Sequence, residues 1–261
     1  MKKIFVMFGL SCLLHHSYSQ TPYKCGDSTA IKRPYGNVTL KVSCKYKSSD
    51  IISVAEYRGV KPDGIPIQNG FQIDYDSLWR RKDSSFYVNG KEEGTSLFWD
   101  SLGNQISKRF HKNGKPIGRS ESFWSPGKPS NVTNYNDSGA KHGPELQWWR
   151  NGNKRLVAEN KNGQMIYSEE YYQSGILRIR DSSKYNDQVG TELYRTISVE
   201  TFSPSGKSTG KVINGNGEVY MFDTEPDKKT KRHRVLHIVY KDSIEVSSNE
   251  VSAKIVSKLM K

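Results

Sequence analysis

Glycine recurs along this chain every 23 to 25 residues, and no other feature limits the possible folds as strongly. The aligned positions are Gly70, Gly94, Gly118, Gly143, Tyr167 and Gly190. Turn dipeptides precede most of them, at Asn89-Gly90, Asn113-Gly114, Ser138-Gly139 and Asn162-Gly163. Asn-Gly between extended segments favours a tight hairpin turn, because both residues readily adopt positive φ. A second glycine series supplies another turn in each period, at Gly103, Gly127, Gly152 and Gly175. Each period of about 24 residues is therefore predicted to be a β-hairpin.

The residues that follow each aligned position predict which face of the sheet is buried. Position +2 is polar in every copy, whereas positions +3 and +5 carry most of the large apolar residues, such as Leu97, Trp99 and Trp148. Side chains alternate between the two faces of a strand. We therefore expect +3 and +5 to face the core and +2 and +4 to form an open face. A slip of one residue in the pairing would exchange the two faces.

Aromatic residues on the open face form the first candidate site. They are predicted to make a ligand-binding ladder from Phe98, Trp124, Trp149, Tyr171 and Tyr194. Exposed aromatic rings on a polar sheet face suit contacts with sugars or peptides. The alternative is ordinary cross-strand packing beneath long lysine and arginine side chains.

Three segments carry the repeat most clearly: "FYVNGKEEGTSLFWDSLG" at 86–103, "FHKNGKPIGRSESFWSPG" at 110–127 and "YNDSGAKHGPELQWWRNG" at 135–152. This pattern resembles the MORN-type repeat (membrane occupation and recognition nexus) in its divergent bacterial form. The resemblance implies an all-β fold, an elongated single-layer antiparallel meander of β-hairpins over about residues 65 to 242. Proteins of this family are often labelled antitoxins, so an immunity-type role is one alternative. The segment "WDSLGNQISKRF" also resembles tyrosine-aspartate repeats of toxin shells, but its aspartate is lost in the next copies.

The N-terminus predicts export from the cytoplasm. Lys2 and Lys3 precede an apolar run at 4–14, and small residues follow at Ser17 and Ser19, which is typical of a cleaved signal peptide over residues 1–19. A lipoprotein anchored at Cys12 is the alternative. The mature protein is expected to be periplasmic or secreted, or associated with the outer surface.

The two cysteines that remain after cleavage, Cys25 and Cys44, are expected to form a disulfide in an oxidising compartment. Two free thiols are the alternative. We expect the disulfide to hold an N-terminal cap over residues 20–64, followed by the repeat array over residues 65–245. Repeat arrays need such caps because an end unit exposes a hydrophobic face and an unpaired strand.

A short amphipathic helix is predicted at the other end, over residues 246–261. Val251, Ile255 and Leu259 follow one another at helical spacing, and Ser248 is a candidate N-cap. We expect this helix to cover the last strand, with a membrane-surface helix as the alternative.

The charge of the chain predicts contact with anionic surfaces. Forty lysines and arginines stand against 27 acidic residues, and removal of the two signal-peptide lysines leaves 38 against 27, a net charge of +11. One tract concentrates this charge, in Lys228, Lys229, Lys231, Arg232 and Arg234. Outside the cytoplasm such a tract meets lipid headgroups or polysaccharide sooner than nucleic acid, and a solvated loop is the alternative.

No catalytic, cofactor or metal motif is recognisable. Of the four histidines that remain after cleavage, only His233 and His237 are close in sequence, and no carboxylate or cysteine completes a site with them. "GKST" at 206–209 lacks the first glycine of a phosphate-binding loop. The sequence therefore favours a non-catalytic scaffold or binding module for a protein, a glycan or an envelope surface. An immunity-type protein partner and an envelope-polymer hydrolase are the alternatives, and the oligomeric state stays open.

Overall fold

A computed structural model describes residues 29–35, 38–45, 52–60, 66–184, 195–230 and 233–260. The elements within these residues are β1 (Thr29–Tyr35), β2 (Val38–Lys45), β3 (Ile52–Val60), β4 (Pro66–Tyr75), β5 (Arg81–Val88), β6 (Lys91–Glu92), β7 (Gly94–Trp99), β8 (Gln105–Lys112), β9 (Lys115–Pro116), β10 (Gly118–Ser125), β11 (Lys128–Tyr135), β12 (Lys141–Trp148), β13 (Lys154–Lys161), β14 (Gln164–Tyr171), β15 (Leu177–Lys184), β16 (Arg195–Phe202), β17 (Ser208–Ile213), β18 (Asn216–Phe222), β19 (Val235–Lys241), β20 (Ile244–Glu250) and helix α1 (Ala253–Met260).

The strands form one antiparallel sheet in which each long strand pairs with the next one along the chain. The two-residue strands β6 and β9 only extend the hairpins at the ends of β5 and β8. The predicted all-β meander of hairpins is therefore confirmed. The segment predicted as a cap supplies β1 to β3, which continue the same sheet. The signal peptide and Cys25 lie outside the described residues, so export and the disulfide stay predictions.

The predicted Asn-Gly turns have the backbone that this dipeptide favours. Asn89, Asn113 and Asn162 have φ of 51°, 53° and 48°, and each is followed by a glycine that also has positive φ. Two later turns, at Asn214-Gly215 and Asp242-Ser243, repeat this geometry. The turns at one end of the strands are therefore a series of tight type I′-like hairpins. Their chirality matches the twist of the strands they join.

The fourth copy is out of register with the first three by one residue. After the turns, Gly94, Gly118 and Gly143 have positive φ and form a bulge, where two extra residues interrupt the pairing. The fourth copy has Tyr167 at this position, and a single extra residue interrupts its pairing. Because a bulky residue disfavours positive φ, the glycine bulge is lost and the strand is advanced by one position. The alignment of Tyr167 with the glycines was therefore wrong for the strand that follows.

A row of small polar side chains occupies the middle of one face, which we call the inner face. Ser120 pairs with Thr133, Thr133 with Glu145, and Glu145 with Ala158, so these side chains follow one another across β10 to β13. Ser96 has no exposed surface, and Glu145 is only 2% exposed. These residues belong to the polar +2 column, so the prediction that +2 lies open was wrong.

The physical reason is side-chain size in a single-layer sheet. With no second layer opposite, a side chain in the middle of a face is covered only by its neighbours on that face. Small side chains are buried because their larger neighbours on the same face cover them. In contrast, Leu97, Trp99 and Trp148 on the +3 and +5 columns remain half-exposed. Hydrophobic pattern alone therefore does not identify the buried face of a sheet of this kind.

Towards the C-terminus the buried row becomes aliphatic. On the inner face, Ile179, Val199, Val212, Val219 and Ile238 form one cluster across β15 to β19. A hydrogen bond of 2.7 Å joins Arg178 Nε in β15 to the carbonyl oxygen of Phe222 in β18. In a flat sheet these two strands would lie three strand spacings, or about 14 Å, apart. The sheet is therefore strongly coiled here.

A second cluster on the opposite, outer face brings in the C-terminal helix. Tyr172, Phe222 and Val235 are buried, and Val251 and Leu259 pack against them. The predicted helix therefore exists, but it begins at Ala253, and its described contacts are with strands before the last one, β20, which it was expected to cover. Its predicted N-cap, Ser248, instead lies in β20, because the turn at 242–243 forms a further hairpin. No helix within the described ranges has the length and apolar character needed to cross a bilayer.

Candidate binding surface

The inner face contains an open cavity of about 400 Å³ where β10 to β13 lie side by side. Its lining combines two tryptophans with carboxylate, amide, hydroxyl and basic groups. The lining residues are Trp124, Ser130, Asn131, Thr133, Tyr135, Lys141, Glu145, Gln147, Trp148 and Arg155. Several of these lie on strands that pair directly, since Asn131 opposes Gln147 and Thr133 opposes Glu145. The regular pairing of the hairpins therefore fixes the relative positions of the polar groups.

Glu145 is the centre of the polar network in this cavity. Lys141 Nζ donates to its two carboxylate oxygens at 2.9 and 3.1 Å, and Gln147 Nε2 donates at 3.1 Å. Asn160 Nδ2 donates from β13 at 3.2 Å. A buried carboxylate needs such donors, because leaving it unpaired would cost several kcal/mol. Glu145 is thus held in one orientation before any ligand arrives.

Asn131 carries an acceptor that is not used. Its Nδ2 donates to Thr133 Oγ1 at 3.0 Å, but its buried Oδ1 has no hydrogen-bond partner within the chain as described. Buried polar atoms are nearly always paired in native proteins. A lone acceptor in a cavity wall therefore indicates a place where an outside donor, such as water or a ligand hydroxyl, would be favourable.

Two of the five predicted aromatic residues, Trp124 and Trp149, have equivalent positions where β10 and β12 end, beside this cavity. Trp124 Nε1 donates to the carbonyl oxygen of Trp148 at 3.1 Å, and Trp149 Nε1 donates to that of Tyr171 at 3.0 Å. Each indole is therefore anchored to the strand two positions further on. Arginines cover the rings: Arg150 lies 4.9 Å from the Trp124 ring centroid and Arg155 lies 5.0 Å from that of Trp149. Trp124 remains 41% exposed.

Phe98 and Tyr171 do not join these two in a single ladder. Phe98 lies on the inner face, opposite Ser107, with the Arg109 guanidinium 4.8 Å from its ring centroid. The Tyr171 hydroxyl donates to Glu169, and burial together with that carboxylate raises the pKa of Tyr171 to about 12. Tyr194 lies outside the described residues. Because Tyr171 follows the one-residue slip at Tyr167, it occupies the column of Trp148 rather than that of Phe98.

An acidic pair lies further along the inner face, and the sequence reading did not single it out. Asp74 and Asp83 are directly paired across β4 and β5. Ser53 Oγ donates to Asp74 at 2.5 Å, and Gln72 Nε2 donates at 3.3 Å. Burial, together with the charge of Asp74 and a hydrogen bond to it, raises the pKa of Asp83 to about 7. Asp83 therefore keeps its proton up to near neutral pH and uses it in a hydrogen bond to Asp74.

Replacing Asp83 with asparagine is expected to remove a pH dependence of stability. In the unfolded chain an aspartate titrates near 3.8, whereas Asp83 in the folded chain holds its proton to about 7. Its stabilising contribution is therefore fully present below about pH 4 and is lost as the pH rises through 7. Because Asp83 is partly exposed, solvent screening leaves about 1 kcal/mol of this effect. Asp83→Asn should raise the melting temperature by about 2–4 °C at pH 8 and by much less at pH 4. A melting difference that is the same at both pH values would contradict the raised pKa of Asp83.

The basic tract is only partly described. Lys228 and Lys229 lie in an exposed turn between β18 and β19, while Lys231 and Arg232 lie outside the described residues. Arg234 Nε lies 3.5 Å from a carboxylate oxygen of Asp223, so part of its charge is neutralised within the loop. The two exposed lysines remain candidates for contact with an anionic surface.

The histidines have structural partners instead of a common ligand. His233 Nδ1 lies 2.8 Å from the carbonyl oxygen of Asp223, and His237 Nε2 lies 2.8 Å from Glu218. The described part of the chain holds no group of three or more histidine, cysteine or acidic side chains that could bind a metal ion. Comparison with models of known protein families and with curated proteins found no match to this chain.

Proposed function

We propose that this protein is a non-catalytic binding module that takes a glycan on its inner face, in the cavity centred on Glu145. The observation that carries the proposal is a partly exposed indole, Trp124, beside a fixed network of carboxylate, amide and ammonium groups. Sugars present apolar ring faces and a dense set of hydroxyl groups. A binding site for them therefore needs flat aromatic surface together with polar groups of fixed orientation.

The polar groups of the cavity suit hydroxyl ligands. Gln147 and Lys141 offer donors, while the oxygens of Glu145 and Asn131 are acceptors. Glu145 is already neutralised by Lys141, so a neutral sugar does not have to compensate its charge. The ligand class favoured by this lining is a neutral, hydroxyl-rich oligosaccharide.

Binding is better supported than hydrolysis. Glycoside hydrolysis by the usual route uses two carboxyl groups on opposite sides of the scissile bond. Of the described residues that line the cavity, only Glu145 is acidic. Its carboxylate is also already engaged by the Lys141 ammonium, which lies 2.9 Å away.

We also propose that the array is of the MORN type and that the protein acts outside the cytoplasm. The first proposal rests on the three motif segments and the second on the N-terminal signal pattern. An immunity-type role through a protein partner is the competing proposal, because exposed tryptophan is also typical of protein interfaces.

Binding can be tested with a panel of neutral hexasaccharides, followed by tryptophan fluorescence and calorimetry. We expect Trp124→Ala to weaken binding by about ten-fold or more, since truncating an aromatic anchor typically costs about 2 kcal/mol. The matched control is Trp79→Ala, because Trp79 is similarly exposed, at 45%, but does not line the cavity. Equal losses for the two variants, or no binding of any sugar by the parent protein, would reject the glycan proposal.

A further inference from the structure

The two end strands of the sheet each present an unpaired edge within the described residues. β1 pairs with β2 alone, and β20 pairs with β19 alone. An open edge offers a row of backbone N–H and C=O groups to another strand, and natural proteins usually protect such edges with lysine, proline or a covering element. β20 carries neither lysine nor proline, and its Ile244 and Val246 are both 55% exposed. β1 contains Lys32 and Pro34, so β20 is the less protected of the two edges.

The C-terminal helix leaves the free edge of β20 uncovered. Val251 and Leu259 pack against Phe222 and Val235, on strands that precede β20 in the sheet. The chain therefore turns back over its own outer face after Glu250. An incoming strand would meet β20 without displacing the helix.

The direction of the strands suits a second copy of the same chain. Apart from the two-residue strands β6 and β9, the sheet has eighteen strands that alternate in direction. Because eighteen is even, β1 and β20 run in opposite directions. A second copy translated along the sheet would place its β1 antiparallel to β20, and the meander would continue with no change of pattern.

The charges of the two end strands are opposite in sign. The sequence of β1 contains Lys32 and Arg33 and no acidic residue. The sequence of β20 contains Glu245 and Glu250 and no basic residue. Opposite charges favour pairing of neighbouring strands, and like charges oppose it. Pairing of β1 with β20 is therefore favoured over pairing of either strand with its own copy.

We propose that copies of this protein assemble head to tail, with β20 of one copy adding to β1 of the next. Such an interface uses two different surfaces, so it does not close on itself as a two-fold dimer does, and it generates an open series of oligomers. Assembly would place one glycan-binding cavity in each copy along a continuous sheet. The head-to-tail contact itself does not depend on the proposed glycan binding.

The test is a charge exchange measured by sedimentation velocity over a concentration series. One variant carries Lys32→Glu with Arg33→Glu, and the other carries Glu245→Lys with Glu250→Lys. Each alone should associate at least about ten-fold more weakly than the parent, because its two edges then repel each other. An equimolar mixture should recover association, since every contact between unlike variants again joins opposite charges. Raised salt should weaken the parent assembly.

Three results would overturn the proposal. The parent protein could remain monomeric at all concentrations, or it could stop at a dimer, which indicates a two-fold contact. The third is a mixture of variants that associates no better than either variant alone. Circular dichroism of each variant separates a failure to assemble from a failure to fold, and sugar titration of the same samples reports on the cavity independently.

Discussion

Replacement of Phe222 by alanine is expected to lower the free energy of unfolding by about 3–5 kcal/mol, the usual cost of truncating a buried phenylalanine. The Phe222 side chain has no exposed surface and lies between Tyr172 and Val235. Val251 and Leu259, from the segment that contains the C-terminal helix, pack against the same cluster. The cavity left by its ring would be lined by residues from four separate parts of the chain, which cannot all collapse into it.

The matched control is Phe71→Ala, because Phe71 is 53% exposed and its main ring contact is with Phe86, 4.9 Å away between centroids. Loss of such a pair should cost about 0.5–1.5 kcal/mol. Both variants can be measured by urea unfolding followed by fluorescence. Similar costs for Phe222→Ala and Phe71→Ala would mean that the outer-face cluster contributes little to stability.

The hairpin turns could be predicted from sequence because their geometry is encoded locally. Asn-Gly supplies two residues that accept positive φ, so Asn89, Asn113 and Asn162 identify their turns without reference to the rest of the fold. Long-range features are not encoded in this way. The outer-face cluster joins Tyr172 to Leu259, and no period of the repeat relates these positions.

The +3 and +5 columns predict the wrong buried face, because burial in this part of the sheet does not follow hydrophobicity. From β7 to β11, small side chains such as Ser96 and Thr133 are covered by their larger neighbours, while Trp124 stays exposed. The sequence does contain a signal for this burial, because position +2 is polar in every copy. A position that is always occupied by small or hydrogen-bonding side chains is one that larger neighbouring side chains can cover.

The cavity could be predicted only in part. The sequence predicts Trp124 as an outward aromatic residue, but it places Glu145, at position +2 after Gly143, on the open polar face. The burial of Glu145 depends on donors from Lys141, Gln147 and Asn160, which lie on two strands. Their convergence follows from the exact strand register, and a one-residue difference in a bulge is enough to change it.

Replacement of Gly210 by alanine is the second substitution with a large expected effect. Gly210 has φ of +146°, and an added Cβ would lie 2.5 Å from the carbonyl oxygen of Glu218 and 2.6 Å from Val219 Cα. Both contacts are with the backbone of the paired strand β18, so no side-chain rotation relieves them. Glycine is needed here because the backbones approach closely beside the fully buried Val212 and Val219.

The expected cost of Gly210→Ala is roughly 2–6 kcal/mol, from backbone strain of about 1–3 kcal/mol and overpacking of about 1–3 kcal/mol. Gly206→Ala is the matched control, four residues earlier in the same segment. Gly206 also has positive φ, +87°, but the nearest atom to an added Cβ is Ile176 Cγ2 at an ordinary distance of 3.7 Å. The cost of Gly206→Ala in unfolding free energy then comes only from the left-handed backbone conformation and is about 1–2 kcal/mol. Urea unfolding of the two variants should therefore rank Gly210→Ala as clearly less stable. If their stabilities are equal, the close approach of β17 and β18 is absent in solution, and the coiling of the sheet around Val212 and Val219 would need another cause.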